Sequence, residues 1–341
     1  MAKKLNVGLV GIGRLGRNYA EYLALRVANT QLIALANLKE SVMAECARKL
    51  NIPKCYRDYR ELIADKEVDA VVVTTSTSAH KEIVIAAAKA GKAVFCEKPL
   101  SLSLRDAQEI GRVLADTGIF FHMGLVRRFD KGYAAAKQKI QQGVIGNPIV
   151  IKSSSRDPFR PSLEFIDPRL SGGIFVDMGI HDFDIARWYL GEVETVFSSG
   201  AILAYPEMKP TGDCDNGLVN LTFEKDALGM VDLSRSGVYG YDIRTEILGT
   251  KGTLKIGYLR ETPILVMNKE GVHHDTVPYF MQRFGDAFIA QLQNFAEHYL
   301  KGRDPSVTCA DGIQALKISL AAKKSHEEKR AVTIQEIESM H

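Results

Sequence analysis

The chain has 341 residues, a formal net charge of +3, 46% hydrophobic residues and 25% charged ones. That length is enough for two domains with separate cores, and the composition excludes a disordered or fibrous chain. Lys and Arg alternate with Asp and Glu and the pI is about 8.4, below the value of about 9 that marks a nucleic-acid-binding domain, so no nucleic-acid partner is expected.

Over the first 125 residues or so, short apolar runs alternate with helical patterns. The predicted strands are Leu5–Val10, Gln31–Ala36, Val68–Thr74, Ala93–Cys96 and Ile119–Met123. Helices are predicted over Gly16–Val27, Val42–Leu50, His80–Ala90 and Leu104–Thr117. Strands that alternate with helices of this length make βαβ units and a parallel sheet. The strands are continuously apolar, as in a sheet covered on both faces.

After Gly124 the rhythm changes. A helix is predicted over Tyr133–Gln142, a strand over Ile149–Ser155, and a further helix carrying Asp177 to Leu190. Strand-like runs follow at Val193–Ala204, Gly217–Phe223, Gly229–Ser234, Arg244–Leu248, Gly252–Ile256 and Pro263–Met267, and helices over Phe284–Leu300 and Gly312–His326 close the chain. Consecutive strands joined by Gly-containing turns predict a mostly antiparallel sheet. The fold class is therefore α/β: a doubly wound Rossmann-type nucleotide domain over 1–124, then an α+β domain over 125–341 whose C-terminal segment can pack back on the first.

No apolar run approaches the ~20 residues that span a bilayer. The basic start Met1-Ala2-Lys3-Lys4 precedes an apolar stretch too short for a secretory signal, so no membrane partner is expected. Cys46, Cys55, Cys96, Cys214 and Cys309 are odd in number, scattered, and form no Cys-x-x-Cys pair. They read as reduced thiols of a cytoplasmic protein, not as disulfides or a zinc site.

Four motifs carry chemistry. Gly11-Ile12-Gly13-Arg14-Leu15-Gly16 lies between a predicted strand and a helix. There Gly11 would allow the tight turn, Gly13 the approach of pyrophosphate to the helix N-terminus, and Gly16 close helix–strand packing. A glycine-rich turn without a ligand is the alternative, and the flanking elements weigh against it. The second strand ends in Asn37, followed by Leu38 and Lys39, where an acid for the adenosine ribose is expected. Asn37 can still bond a ribose hydroxyl, and Lys39 can attract a 2′-phosphate, though such a lysine is more commonly an ordinary solvated helix-entry residue; NAD is slightly preferred and NADP stays open. Cys96-Glu97-Lys98-Pro99 sits at the carboxyl end of a strand, where open α/β sheets bind ligands. Lys98 is thus placed to touch a substrate hydroxyl, though taken alone it reads better as a surface ion-pair partner. Last, Asp177 and His181 are four residues apart, on one face of a helix, a spacing that is also common as a plain helix pair and does not carry the case alone. An imidazole is the natural base for removing a hydroxyl proton as hydride leaves. A metal would need further ligands; none stand nearby, and His273-His274 reads as a polar loop, so no metal is expected.

The glycine loop, Glu97-Lys98-Pro99, and Asp177 with His181, in that order over nearly the whole chain, resemble the family of glucose–fructose oxidoreductase, inositol dehydrogenase and MocA. The stretches Arg127-Arg128-Phe129-Asp130 and 172–184 look closer still to inositol 2-dehydrogenases. The resemblance implies an NAD(P)-dependent dehydrogenase that oxidises a ring hydroxyl of inositol or a similar polyol. Lys98, Asp177 and His181 would be its catalytic trio. His181 would take the proton, Lys98 would stabilise developing negative charge, and Asp177 would hold substrate hydroxyls. The resemblance also implies Arg127 as a substrate contact. Asp157, Tyr239 and Tyr241 are weaker candidates, the tyrosines reading equally as an exposed turn. Thr75-Ser76-Thr77-Ser78 lacks the proline–asparagine pair of many relatives, yet Thr75 and Ser76, like Glu97 and Lys98, would meet the cofactor. His80 reads as a helix-start residue rather than a ligand. The implied assembly is a dimer or tetramer formed through an open-faced C-terminal sheet. The other classes are a cofactor-binding regulator without turnover, which would not need all three of the trio, and a protein that serves only for assembly.

Overall fold

The computed structural model describes residues 4–340. The chain forms two compact units: residues up to Val126 with Asp286–Gln314, and Arg127–Gly285 with the residues from Ala315 onward.

The first unit is built on β1 (Leu5–Val10), α1 (Arg14–Leu25), β2 (Thr30–Ala36), α2 (Glu40–Leu50), β3 (Lys54–Tyr56), α3 (Tyr59–Ala64), β4 (Ala70–Val73), α4 (His80–Lys89), β5 (Ala93–Glu97), α5 (Leu104–Thr117) and β6 (Phe121–Gly124). Its sheet is wholly parallel in the order β3-β2-β1-β4-β5-β6. Every residue of β4 and β5 is buried, which is why these strands read as unbroken apolar runs. Chain order reverses between β1 and β4, so the crevice at their carboxyl ends is the switch point where such sheets take ligands. The short β3 and α3 were not anticipated; a three-residue strand and a six-residue helix leave no periodic signal to read.

The second unit contains α6 (Lys131–Gln141), β7 (Pro148–Arg156), the short helices α7 (Leu163–Ile166), α8 (Pro168–Ser171) and α9 (Ile174–Asp177), then α10 (Gly179–Leu190). Strands β8 (Val193–Ala201), β9 (Asn216–Phe223), β10 (Leu228–Ser234), β11 (Asp242–Gly249), β12 (Gly252–Ile256), β13 (Val266–Asn268) and β14 (Gly271–His273) follow. Helices α11 (Phe280–Leu300) and α12 (Cys309–Glu328), strand β15 (Val332–Thr333) and helix α13 (Ile334–Ser339) complete the chain. Seven strands form one sheet, β12-β11-β7-β10-β9-β8-β15, antiparallel throughout except for the parallel pair β7 and β10.

On the inner face of this sheet Ile151, Val196, Val219, Val231, Leu233 and Ile247 are buried, and α10 packs on β7 and β10. Ser325 of α12 accepts the Ser198 amide of β8 at 2.9 Å. The outer face carries Phe197, Leu218, Leu228, Met230 and Leu248, each 40–54% exposed. Period-2 alternation of buried and exposed residues along β9 and β10 sets the two faces apart.

Three expectations change here. The run 263–267 is not a strand of the main sheet. Only Val266–Asn268 is extended, and it pairs with Gly271–His273 in a separate, exposed hairpin. The hairpin turns where the Asn268 side chain accepts the Glu270 amide, which puts His273 in a strand and not in a loop. Asp177 and His181 do not share one continuous helix. Asp177 ends α9, and His181 lies in the first turn of α10. The break falls at Met178–Gly179, where a side chain on Gly179 would meet the Phe183 ring at 2.7 Å.

Candidate functional site

In the first unit the glycine loop has the stereochemistry of a dinucleotide cradle. Gly11 has φ +94°, and a Cβ there would lie 2.7 Å from the Thr75 backbone. A Cβ on Gly16 would come within 2.0 Å of the Gly11 carbonyl, whereas one on Gly13 would meet nothing within 4 Å. The loop is therefore closed on the side of Gly16 and open at Gly13. Gly13 caps α1 with no side-chain bond, and the first turn carries no acid, so the helix N-terminus is left positive and unscreened, as a pyrophosphate requires. A dinucleotide cofactor fits these residues. Arg14 is exposed, Leu15 half-buried and Ile12 buried.

The Asn37 side chain ties the turn together. Its Oδ1 accepts the Ile12 amide at 3.0 Å, and its Nδ2 donates to the Lys39 carbonyl at 3.0 Å. Lys39 itself is exposed. Thr74, after β4, donates to the Gly11 carbonyl at 2.7 Å, followed by half-buried Thr75 and exposed Ser76. His80 is buried, with Nδ1 2.9 Å from the Pro99 carbonyl and Nε2 3.3 Å from the Thr75 carbonyl. It therefore joins the Thr75 loop to the turn after Lys98, and burial lowers its pKa.

Glu97 points inward. Its Oε1 accepts from the Tyr19 hydroxyl and from Gln291 Nε2, and its Oε2 accepts the Lys98 amide at 3.0 Å. Burial pushes this carboxyl above its ordinary range, against the pull of the Tyr19 bond. The same enclosure, with Glu97 beside it, holds the Tyr19 phenol well above its usual value. Glu97 thus anchors the backbone of half-buried Lys98 to α1 and α11, and the Lys98–Pro99 peptide is cis.

In the second unit the N-terminal turn of α10 rests on a buried polar cluster. Asp182 is fully buried and accepts from Arg127 Nη1 at 2.5 Å, Ser153 Oγ at 2.6 Å and Ser155 Oγ at 2.7 Å. Ser155 in turn accepts from Arg127 Nη2 at 2.9 Å. Burial alone would lower the Arg127 pKa, but the Asp182 carboxylate outweighs it and raises the value. Two residues on, Asp184 is gripped by Arg128 with two bonds, of 2.9 and 2.5 Å. Half-buried His181 sits beside Asp182, its Nδ1 shielded from solvent. Asp177 Oδ2 lies 3.4 Å from Arg235 Nη1.

Asp157 is half-buried just after β7, its amide bonded to the Ser234 carbonyl. Tyr239 is exposed, donating to Asp242 at 2.8 Å and accepting from Arg156 at 3.1 Å, while Tyr241 is buried. Gly11 to Gly16, Asn37, Lys39, Thr75, Ser76, Glu97 and Lys98 belong to the first unit; Arg127, Asp157, Asp177, His181, Tyr239 and Tyr241 belong to the second. Sequence reasoning passed over Tyr19, Gln291, Ser153, Ser155, Asp182 and Arg235. One readable signal existed: Ser153 and Ser155 fall on the inward-facing alternation of β7, and inward serines call for a buried polar partner. Among the described residues no group of His, Cys, Asp or Glu is arranged to hold a metal ion, and no helix is long and apolar enough to cross a membrane.

Comparison with known proteins agrees with this architecture. Residues 5–125 match the oxidoreductase family's NAD-binding Rossmann fold, and residues 137–334 match its C-terminal alpha/beta domain. The chain is 42% identical to a myo-inositol 2-dehydrogenase of Thermotoga maritima, over 98% of this chain and 99% of that one. It is 39% identical to a scyllo-inositol 2-dehydrogenase (NAD(+)) of Bacillus subtilis, over 95% of each. Among solved structures, scyllo-inositol dehydrogenase of Lactobacillus casei with bound NAD(H) and scyllo-inositol superimposes with a TM-score of 0.93 at 32% identity, covering 98% of this chain and all of that one. With both domains matched and relatives spanning its whole length, the chain belongs to the oxidoreductase family of glucose–fructose oxidoreductase, inositol dehydrogenase and MocA, and its N-terminal part is that family's NAD-binding Rossmann domain.

Proposed function

We propose that the protein is an NAD-dependent dehydrogenase that oxidises one ring hydroxyl of myo- or scyllo-inositol to the keto-inositol. The observation that carries this reading is the full-length likeness, at 42% identity, to a myo-inositol 2-dehydrogenase, with Lys98, Asp177 and His181 each standing in its motif. Bound NAD supplies the hydride acceptor. His181 takes the hydroxyl proton, as a general base whose helix is fixed by Asp182 beneath it. Lys98 donates to the reacting oxygen and steadies the negative charge that grows there. Asp177 accepts from neighbouring ring hydroxyls and so selects a polyol. Arg127 and Asp157 support the substrate side, Arg127 through Asp182 and Ser155, and Tyr239 flanks them through Asp242. Thr75, Ser76 and Asn37 face the cofactor side of the reaction.

The expected result of a nicotinamide absorbance assay on myo-, scyllo- and chiro-inositol and glucose, each with NAD and NADP, is turnover on an inositol with NAD preferred. Turnover on glucose alone would move the substrate to another polyol or aldose. Bound cofactor without turnover on anything would make the protein a regulator.

The open sheet face supports self-assembly. Across it run Phe197, Asn220, Met230, Lys152 and Glu246 in one row, and Thr222, Leu228, Val150 and Leu248 in another. A patch of apolar side chains rimmed by charge suits a second copy of the same face, in a dimer or tetramer. Changing Leu218 and Met230 together to Lys should reduce the assembly to monomer in light scattering at micromolar concentration; a wild-type protein that is itself monomeric would end this reading. We place the enzyme in the cytoplasm, in keeping with its five unbridged cysteines.

A further inference from the structure

We propose that Arg235 is a positioning residue for Asp177: it holds that carboxylate ionised and aimed, as one corner of a buried clamp closed by Asp213. Arg235 is 0% exposed and is the largest fully buried side chain among the described residues. It follows β10, where its amide is fixed on the Asp215 carbonyl at 2.8 Å. Its guanidinium spans two carboxylates, with Nη1 3.4 Å from Asp177 Oδ2 and Nη2 3.6 Å from Asp213 Oδ2. Asp213 also grips the far end of the same short helix. Its Oδ1 accepts the Ile174 amide at 2.9 Å, and a Cβ on Gly173 would lie 2.8 Å from that oxygen. Gly173 has φ +80°, so glycine serves both the turn and the close approach.

The clamp therefore fixes α9 at both ends: at Ile174 through Asp213, and at Asp177 through Arg235. A planar, rigid fork offers a separate nitrogen to each carboxylate and so fixes the angle between them, which the single, freely rotating ammonium of a lysine does not. The cation is bought for position, not for contact with substrate, because no part of it is exposed. Arg235 Nε and Nη2 and Asp213 Oδ2 make no hydrogen bond among the described residues. Such a cost persists in a fold when the charge is needed where it stands. The charged and titratable groups around the clamp include Asp177, Asp213, Cys214, Asp215 and, on α12, His326. Burial raises the Asp213 carboxyl, and Arg235 opposes that rise.

This assignment rests on reading Asp177 as the carboxylate that holds substrate hydroxyls. The test uses Arg235→Met and Arg235→Lys in the full-length protein labelled with ¹³C at the aspartate carboxyls, with the Asp177 signal identified by its loss in Asp177→Asn. In Arg235→Met the Asp177 titration should move up by about one pH unit or more, the usual effect of losing a neighbouring cation. Its kcat/KM for inositol should fall about 100-fold, as for a misplaced positioning group, while KM for NAD stays unchanged. Arg235→Lys should fall between wild type and Arg235→Met in both readings, and it carries the test if the Met variant does not fold. An Asp177 titration unchanged in a folded variant overturns the proposal. If wild type turns over no inositol, the functional reading fails, yet the titration still decides the clamp.

Discussion

His181→Ala should lower kcat by roughly 10²- to 10⁴-fold, the usual worth of a general base, and leave NAD affinity within experimental error of wild type. The two halves of this expectation come from different parts of the chain. The glycine loop, Asn37 and Thr74 are tied to one another inside the first unit, to which His181 does not belong. Removing the imidazole takes away the group that accepts the hydroxyl proton while leaving Asp182 and its partners in place beneath the helix. The loss should therefore appear in the chemical step, with little change in the binding of either reactant. Stopped-flow hydride transfer, with fluorescence titration of NADH as the control, measures both. Because an alanine cannot titrate, the limb of the pH–rate profile that reports the base should vanish as well. Turnover near the wild-type rate would remove His181 from the role and pass it to Lys98 or to solvent.

The first unit was legible in the sequence to within a residue or two at most strand boundaries, for a physical reason. A parallel sheet buried on both faces must be written in continuous apolar runs, and the tight turn after β1 must be written in glycine, so both constraints are local. Asp177 and His181 were legible as residues and as a spacing, but the break between α9 and α10 was not. It falls beside Gly179, where a Cβ would press on Phe183, within the helix, and on Leu233 of β10, and the second of these is a tertiary contact. The partners of Glu97 were hidden for the same reason. Tyr19 is 78 residues before it and Gln291 is 194 after it, and nothing in a local pattern links them. Arg127 is the most instructive case. In sequence it stands in a basic pair that resembles a substrate-contacting stretch. In the fold its guanidinium is buried and donates to Asp182 and Ser155.

That placement leads to the second large effect. Asp182→Ala should destabilise the protein by about 3–5 kcal/mol, the cost of breaking a buried ion pair by removing one partner. The deletion leaves Arg127 charged without its carboxylate, and it leaves Ser153 and Ser155 without the acceptor they share. In a domain of this size the loss should lower Tm by roughly 10 °C. Asp182→Asn keeps an acceptor for the serines and should cost less. The paired change Arg127→Met with Asp182→Leu should recover much of the loss, because a matched apolar pair removes both charges from the interior at once. The same set separates two roles for Arg127. A residue that only contacts substrate would, as Arg127→Met, raise KM for inositol and leave Tm within about 2 °C of wild type. A residue that supports the helix carrying His181 should instead lower Tm, and kcat should fall with it because the base is displaced. The network drawn by Asp182, Ser153 and Ser155 predicts the second pattern. If the first is observed, the guanidinium reaches substrate in the working enzyme, and Asp182 holds the serines without needing its cation.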